Sequence, residues 1–234
     1  MSSKIIAVTG ASKGIGAEIA RQLADAGYAV VIIGRSAERL NSVAEYIQAE
    51  GGAVFPLLCD ITNEEDIGRA REFIKQLDGQ FKAIIHSAGI VYVGKLSRMK
   101  PKEWREQIEI NLTAPFLLSQ KLIPELKEGG QVIFINSAAG KQVFPEWGGY
   151  AVSKFGLKAL ADTLREEHTA EGIRVTTIFP ASVNTTFHND LPFNWDRTKM
   201  LRAGDVAGAV LYCLKQPSTV RINEIVLENA AGKF

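Results

Sequence analysis

Two stretches of the chain carry residue types whose spacing could do chemistry. The first is Thr9-Gly10-Ala11-Ser12-Lys13-Gly14-Ile15-Gly16, which follows the apolar run Ile5-Ile6-Ala7-Val8 and opens an amphipathic segment. Gly10, Gly14 and Gly16 crowd the point where a buried strand turns into a helix. Glycine there permits a tight turn and leaves no Cβ to hold a ligand off the backbone, while the new helix N-terminus offers free N–H groups and a positive dipole end. The stretch reads as a pyrophosphate cradle. Its spacing is neither G-x-G-x-x-G nor that of a P-loop, because Lys13 precedes Gly14 and no Gly-Lys-Ser/Thr triplet follows. The second is the pair Tyr150 and Lys154, four residues apart and therefore on one face of a helix, with an ammonium beside a phenol. A free tyrosine has a pKa of about 10, and bringing it near 7 takes about three units, roughly 4 kcal/mol of preferential stabilisation of the phenolate. A neighbouring cation in a partly desolvated cleft can supply that amount.

The elements that must position these groups alternate along the whole chain. Ile15, Ile19, Ala20 and Leu23 recur at helical spacing until Gly27, and Ala29-Val30-Val31-Ile32-Ile33 is a continuous apolar run. The pattern predicts helices over about 37–50, 63–77, 102–126, 149–171 and 203–215. It predicts further strands over 53–58, 82–85, 131–135, 173–179 and 222–227. Runs apolar on both faces imply strands covered on both sides, so the fold class is α/β, a Rossmann-type doubly wound parallel seven-stranded sheet with helices on both faces. Ligands bind such sheets beyond the carboxyl ends of the strands. The polar residues keep to that edge: Gly34-Arg35-Ser36, Cys59-Asp60-Ile61, His86-Ser87-Ala88-Gly89, Asn136-Ser137-Ala138 and Pro180-Ala181-Ser182-Val183 each follow an apolar run.

The 234 residues suit one large domain, read as spanning 1–234. With 27 basic and 26 acidic residues the net charge is +1, which points to no nucleic acid and no membrane surface but to a small-molecule partner. Cys59 and Cys213 are the only cysteines and have no metal-ligand spacing, so they read as buried structural thiols and no metal site is expected. No cleavable leader or apolar span is evident, and a cytoplasmic location is expected.

Taken together, Thr9-Gly10 with Gly14 and Gly16, Asp60, Ala88-Gly89, Asn111, Ser137, Tyr150-x-x-x-Lys154, and Pro180 with Val183 and Thr185 resemble the short-chain dehydrogenase/reductase family over essentially the whole chain. Two departures stand out. His86 and Ser87 occupy the place of two asparagines, and Ala181 follows Pro180 where the family usually has glycine. His86 reads as a buried polar group with a partner.

The resemblance implies roles. Tyr150 would give a proton to a carbonyl oxygen as hydride arrives from a nicotinamide, with Ser137 holding that oxygen. Lys154 would lower the tyrosine pKa and bind the nicotinamide ribose, and Asn111, through helix backbone and water, would complete a proton relay. Cofactor contacts would come from Gly10, Ser12, Lys13, Gly14, Ile15, Gly16, Asp60, Ile61, Ser87, Ala88, Gly89, Pro180, Val183 and Thr185. Relatives that use NAD commonly end the second strand with an acidic residue. Here Gly34 is followed by Arg35 and Ser36, and with Lys13 these favour a 2′-phosphate, hence NADP(H). The segment 181–200, with Phe187, His188, Leu191, Pro192, Phe193 and Trp195, is similar to a substrate lid, and of the two readings of His188, contact with a substrate carboxylate or exposure on the lid, exposure is expected. Phe116, Leu117, Phe155, Leu157 and Leu160 fit either a subunit interface or internal burial, and a homodimer or homotetramer is expected by analogy.

The expected function is interconversion of a carbonyl and a secondary alcohol. The section 220–234 is closer to relatives acting on 3-hydroxy acids and small alcohols. One alternative is a 3-oxoacyl-acyl carrier protein reductase, docked through Lys95, Arg98, Lys100, Lys102 and Arg105. The other is a non-catalytic NADPH sensor.

Overall fold

Apolar stretches rich in β-branched residues pair as seven parallel strands: β1 (Lys4–Thr9), β2 (Ala29–Gly34), β3 (Val54–Leu58), β4 (Gln80–His86), β5 (Gln131–Ile135), β6 (Arg174–Pro180) and β7 (Glu224–Leu227). Their order is β3-β2-β1-β4-β5-β6-β7, with every neighbouring pair parallel. This is the doubly wound arrangement that the alternation predicts. The computed structural model describes residues 3–127, 129–189 and 191–232, so Asp190 of the 181–200 segment and Lys233 and Phe234 of the C-terminal section lie outside the described residues.

Helices α1 (Gly14–Asp25), α2 (Ala37–Ala49), α3 (Glu64–Gln76), α4 (Pro101–Ile108), α5 (Ala114–Leu122), α6 (Gly148–Glu167) and α7 (Ala203–Lys215) accompany the strands. Successive strand residues point to opposite faces and feed two separate cores. Ile6, Val8, Val30 and Ile32 pack with Ile19 of α1, Leu40 of α2 and Val210 of α7. Ile5, Ala7, Val31 and Ile33 pack with Ile67 of α3, Leu118 of α5 and Leu157 of α6. Covering both faces explains why the central strands read as unbroken apolar runs.

The single helix expected over 102–126 is divided. Between α4 and α5 lies a π-turn, Glu109–Thr113, and Ile123–Glu125 finishes as a 3-10 turn. The cause is proline. Pro115 has no N–H for the Asn111 carbonyl, so the i→i−4 ladder cannot run through it, and Pro124 interrupts the far end in the same way. Elsewhere α6 stops at Glu167 rather than 171, ahead of Gly172 at φ +73, and β7 starts at Glu224 rather than 222.

Cys59 and Cys213 are buried free thiols, as the sequence suggested. His86 ends β4 with 3% of its surface exposed. Its Nε2 lies 2.9 Å from Ser119 Oγ, and its ring stacks on Phe134 with centroids 4.6 Å apart. It is the buried, partnered polar group that its place in the sequence predicts.

Burial lowers the His86 pKa from 6.5 to about 3. Between those values the unfolded chain binds the proton and the folded chain does not, so unfolding free energy falls as pH drops through that window, by about 1.4 kcal/mol per pH unit from this residue. Denaturant titrations at about pH 4 and about pH 6 test this, and His86→Gln should show a dependence shallower by about that slope.

Candidate active site

Where the strand order reverses between β1 and β4, a cleft of about 1220 Å3 opens beyond their carboxyl ends. Gly10 shapes its floor: it holds φ +66, and a Cβ on it would sit 2.7 Å from the Ala88 Cα. The Thr9 hydroxyl bridges the same gap, accepting from the N–H groups of Ser87 at 3.1 Å and Ala88 at 3.2 Å. Helix α1 then begins with no side-chain cap at Lys13 and no acidic residue in its first turn. Neighbouring helices differ, because Ser36 caps α2 by accepting from the Arg39 N–H and Asn63 caps α3 by accepting from the Asp66 N–H. The donors left free at the start of α1 lie at the cleft wall formed by Ser12, Lys13, Gly14, Ile15 and Gly16, a ready anion site.

Cations surround that end of the cleft. Lys13, Arg35 and Arg39 all line it. Arg35 Nη1 stands 3.8 Å from Asp60 Oδ2, while Asp60 Oδ1 accepts from the Thr62 N–H at 3.0 Å and from its hydroxyl at 2.8 Å. Burial raises the Asp60 pKa, but the Thr62 bonds and the Arg35 charge outweigh it and hold the carboxyl below its ordinary range. Asp60 is therefore engaged on both oxygens by its own chain. Arg39 was not singled out from the sequence, although its place four residues after Arg35 was the available signal.

At the other end, Tyr150 and Lys154 of α6 are 6% and 3% exposed, and Ser137 follows β5. The Lys154 ammonium donates to the Ile135 carbonyl at 3.1 Å and lies 5.6 Å from the Tyr150 ring centroid. Burial lowers Lys154 to about 8. It also pushes the Tyr150 phenol up to about 12, against a hydrogen bond from Ser137 that acts in the opposite sense. Desolvation is thus the larger influence on Tyr150, acting in the sense opposite to the lowering expected from Lys154.

Three buried polar groups hold this constellation. Asn136 donates to the Lys154 carbonyl at 3.0 Å and accepts from the Ser137 N–H at 2.8 Å, locking β5 to α6. Asn111 accepts from the Ile90 N–H and donates to the Ile90 carbonyl and to Ser153 Oγ. Ser153 in turn donates to the Tyr150 carbonyl at 2.7 Å. Every residue singled out from the sequence for this site lines the cleft except Phe193 of the lid and Asn111, which is 0% exposed and turned to these partners. Asn136 and Ser153 were missed as positioning groups, although each lies next to a residue that was not.

Aromatic side chains close over the tyrosine. Trp147 meets Tyr150 edge-on at 5.7 Å and 70°, and Phe187 approaches it at 6.1 Å. Trp147 also stacks with Phe193 and Trp195 at 6.1 and 6.0 Å, and those two stack with each other at 4.9 Å. His188, expected to be exposed, is instead partly buried edge-on against Trp195 at 5.1 Å. Burial, with the Arg197 charge adding to it, holds its pKa below the ordinary imidazole range. The sequence shows no period in 181–200, so nothing there indicated that its rings fold back on one another. Outside the cleft, Lys100 pairs with Glu103 and Lys102 with Glu106. Phe116 and Phe155 stay 44% and 41% exposed, whereas Leu157 is buried.

Comparison with known proteins places this geometry in a lineage. The family model described as short chain dehydrogenase matches residues 4–194. An uncharacterized oxidoreductase of Staphylococcus saprophyticus is 33% identical over 230 residues, covering 97% of both chains. An alcohol dehydrogenase from the archaeon Thermococcus sibiricus, complexed with 5-hydroxy-NADP, superposes with a TM-score of 0.90 at 30% identity, covering 97% of both chains. A metagenomic short-chain oxidoreductase in complex with NADP superposes with a TM-score of 0.84, also at 30% identity and 97% coverage of both chains. The chain belongs to the short chain dehydrogenase family.

Proposed function

We propose that this protein is an NADP(H)-dependent oxidoreductase that interconverts a carbonyl and a secondary alcohol. The observation that carries the reading is the convergence of Ser137, Tyr150 and Lys154 at one end of a cleft whose other end is an uncapped helix N-terminus flanked by Lys13, Arg35 and Arg39. A dinucleotide fits that arrangement. The glycine turn admits a pyrophosphate against backbone N–H groups, and three cations suit a further phosphate. The NADP-bound state of two structural neighbours supports the same choice.

When bound, the nicotinamide supplies a hydride to the carbonyl carbon or takes one from the alcohol. The chain's own residues do the rest. The Ser137 hydroxyl holds the substrate oxygen, and Tyr150 gives its proton to that oxygen during reduction. Lys154 sets a positive charge beside the phenolate that remains, and Asn111 and Asn136 keep the helix and strand in register. Burial makes the neutral phenol and a readily titrated ammonium the resting state, which suits donation of a proton. The segment 181–200 covers the substrate end as a lid, and the exposed Phe116 and Phe155 support a homo-oligomer. Docking of an acyl carrier protein would use the basic run 95–105, where Glu103 and Glu106 already pair with two of the lysines. A pure sensor would have no chemical use for the Ser137 and Tyr150 hydroxyls.

Three outcomes test this. Tyr150→Phe should lower the rate of NADPH-dependent carbonyl reduction about 10²- to 10⁴-fold while NADPH still binds, as followed by fluorescence titration. Arg35→Ala should raise the KM for NADPH at least about tenfold and leave that for NADH nearly unchanged, the loss of one charge-assisted bond to phosphate. In reduction, kcat/KM for NADPH should fall as pH rises through about 8, where Lys154 loses its proton, while Tyr150, at about 12, stays protonated. A fall near neutral pH instead would assign proton donation to another group.

A further inference from the structure

We propose that the substrate is an uncharged carbonyl compound bearing a flat aromatic ring, selected by Trp147 and the rings of the lid; this rests on the carbonyl reductase reading above. The planes of Trp147, Phe193 and Trp195 lie within 11°, 27° and 19° of one another. Their centroids close a triangle of 6.1, 6.0 and 4.9 Å, and its Trp147 and Trp195 members line the cleft, where a planar guest packs on them by offset stacking. A box for an alkylammonium has a different form, with rings at steep angles around one centre where the cation sits over their faces. The cluster reaches the reacting residue itself, because Trp147 is three positions before Tyr150 and meets its ring edge-on. A ring continuing it would carry its attached carbonyl toward the Tyr150 and Ser137 hydroxyls.

Charge points the same way. Among the described residues, the lysines and arginines lining the cleft are Lys13, Arg35, Arg39 and Lys154. The first three belong to the glycine turn, the end of β2 and the first turn of α2. Lys154 is 3% exposed and committed to the Ile135 carbonyl. On the lid, burial and the Arg197 charge hold His188 below the ordinary imidazole range, and Arg197, which does not line the cleft, is committed to the Asn189 side chain and the Thr185 carbonyl. A carboxylate entering under the lid would lose its water and find no uncommitted cation lining the cleft there, so the site disfavours 3-oxo acids. This departs from the 3-hydroxy acids that the C-terminal section suggested.

The test compares kcat/KM with NADPH for acetophenone, its saturated analogue cyclohexyl methyl ketone, acetoacetate and trimethylammonio-acetaldehyde. The expected result is a preference of about tenfold for acetophenone over its saturated analogue, a stacking contribution, and a larger preference over acetoacetate. Trp195→Leu should reduce the acetophenone value about tenfold more than the cyclohexyl value, and Trp195→Phe should restore the ratio. Quenching of tryptophan fluorescence by acetophenone in the presence of NADP gives a binding readout that does not depend on turnover. Equal or better use of acetoacetate, best use of the trimethylammonium compound, or an unchanged ratio in Trp195→Leu overturns the ring-selective lid and leaves the reductase reading standing. Absence of Tyr150-dependent reduction with every member overturns both.

Discussion

Everything in the cleft depends on how two central strands of one sheet are allowed to part. A parallel sheet whose order reverses between β1 and β4 leaves backbone amides at the strand ends without a ladder, and such groups need partners. The Thr9 hydroxyl provides them, taking the N–H groups of both Ser87 and Ala88 while the Gly10 backbone passes where a Cβ would collide. The two strand ends are thereby tied together at close range, and the segments that follow them diverge. One side of the gap leads into the free N-terminus of α1 and the other into the Ala88-Gly89 turn, which runs beside Asn111 and Lys154. Phosphate binding and proton transfer are two ends of this one opening.

The second constraint is a buried cation with no carboxylate beside it. Lys154 is held by a carbonyl and an aromatic face, partners that tolerate charge without neutralising it. Desolvation consequently lowers the lysine and raises the tyrosine, driving both toward their neutral forms. A carboxylate in that place would pin the ammonium and remove its influence on the phenol. The buried asparagines serve the same end, because Asn111 and Asn136 satisfy backbone groups and fix geometry without adding charge to the pocket.

The parts legible in the sequence are those that follow from local rules. Strand runs buried on both faces, the glycine turn and the i, i+4 placement of Tyr150 and Lys154 each depend on backbone geometry over a few residues, and each was readable. The division of the long helix at Asn111 was also locally encoded, in Pro115, but apolar periodicity across 102–126 concealed it. What could not be read depends on contacts between distant segments. Asp60 is tied up by Thr62 and Arg35, Asn136 locks Lys154, and His188 lies against Trp195 because an irregular segment folds back on itself. No period announces such a fold-back, since the rings of 181–200 answer to Trp147 on another element.

The cleft divides its labour by charge. Formal positive charge gathers where the glycine turn and the end of β2 meet, and the lid end is built from rings, so the two halves recognise ligands by different physics. Charge-assisted bonds at the first half fall off slowly with distance and tolerate movement of long side chains such as Arg35, which is 61% exposed. Ring stacking at the second half loses a quarter to a half of its strength over a gap of about 0.5–1 Å and rewards a close fit. The loose half can therefore capture a charged cofactor before the lid has settled. The strict half sits beside Tyr150, where a small misplacement of the reacting carbonyl would cost most in rate. The lid's own cations, Arg197 and Lys199, are paired within the segment and do not line the cleft, which preserves that order, because an anionic end of the cofactor is then drawn toward the glycine turn.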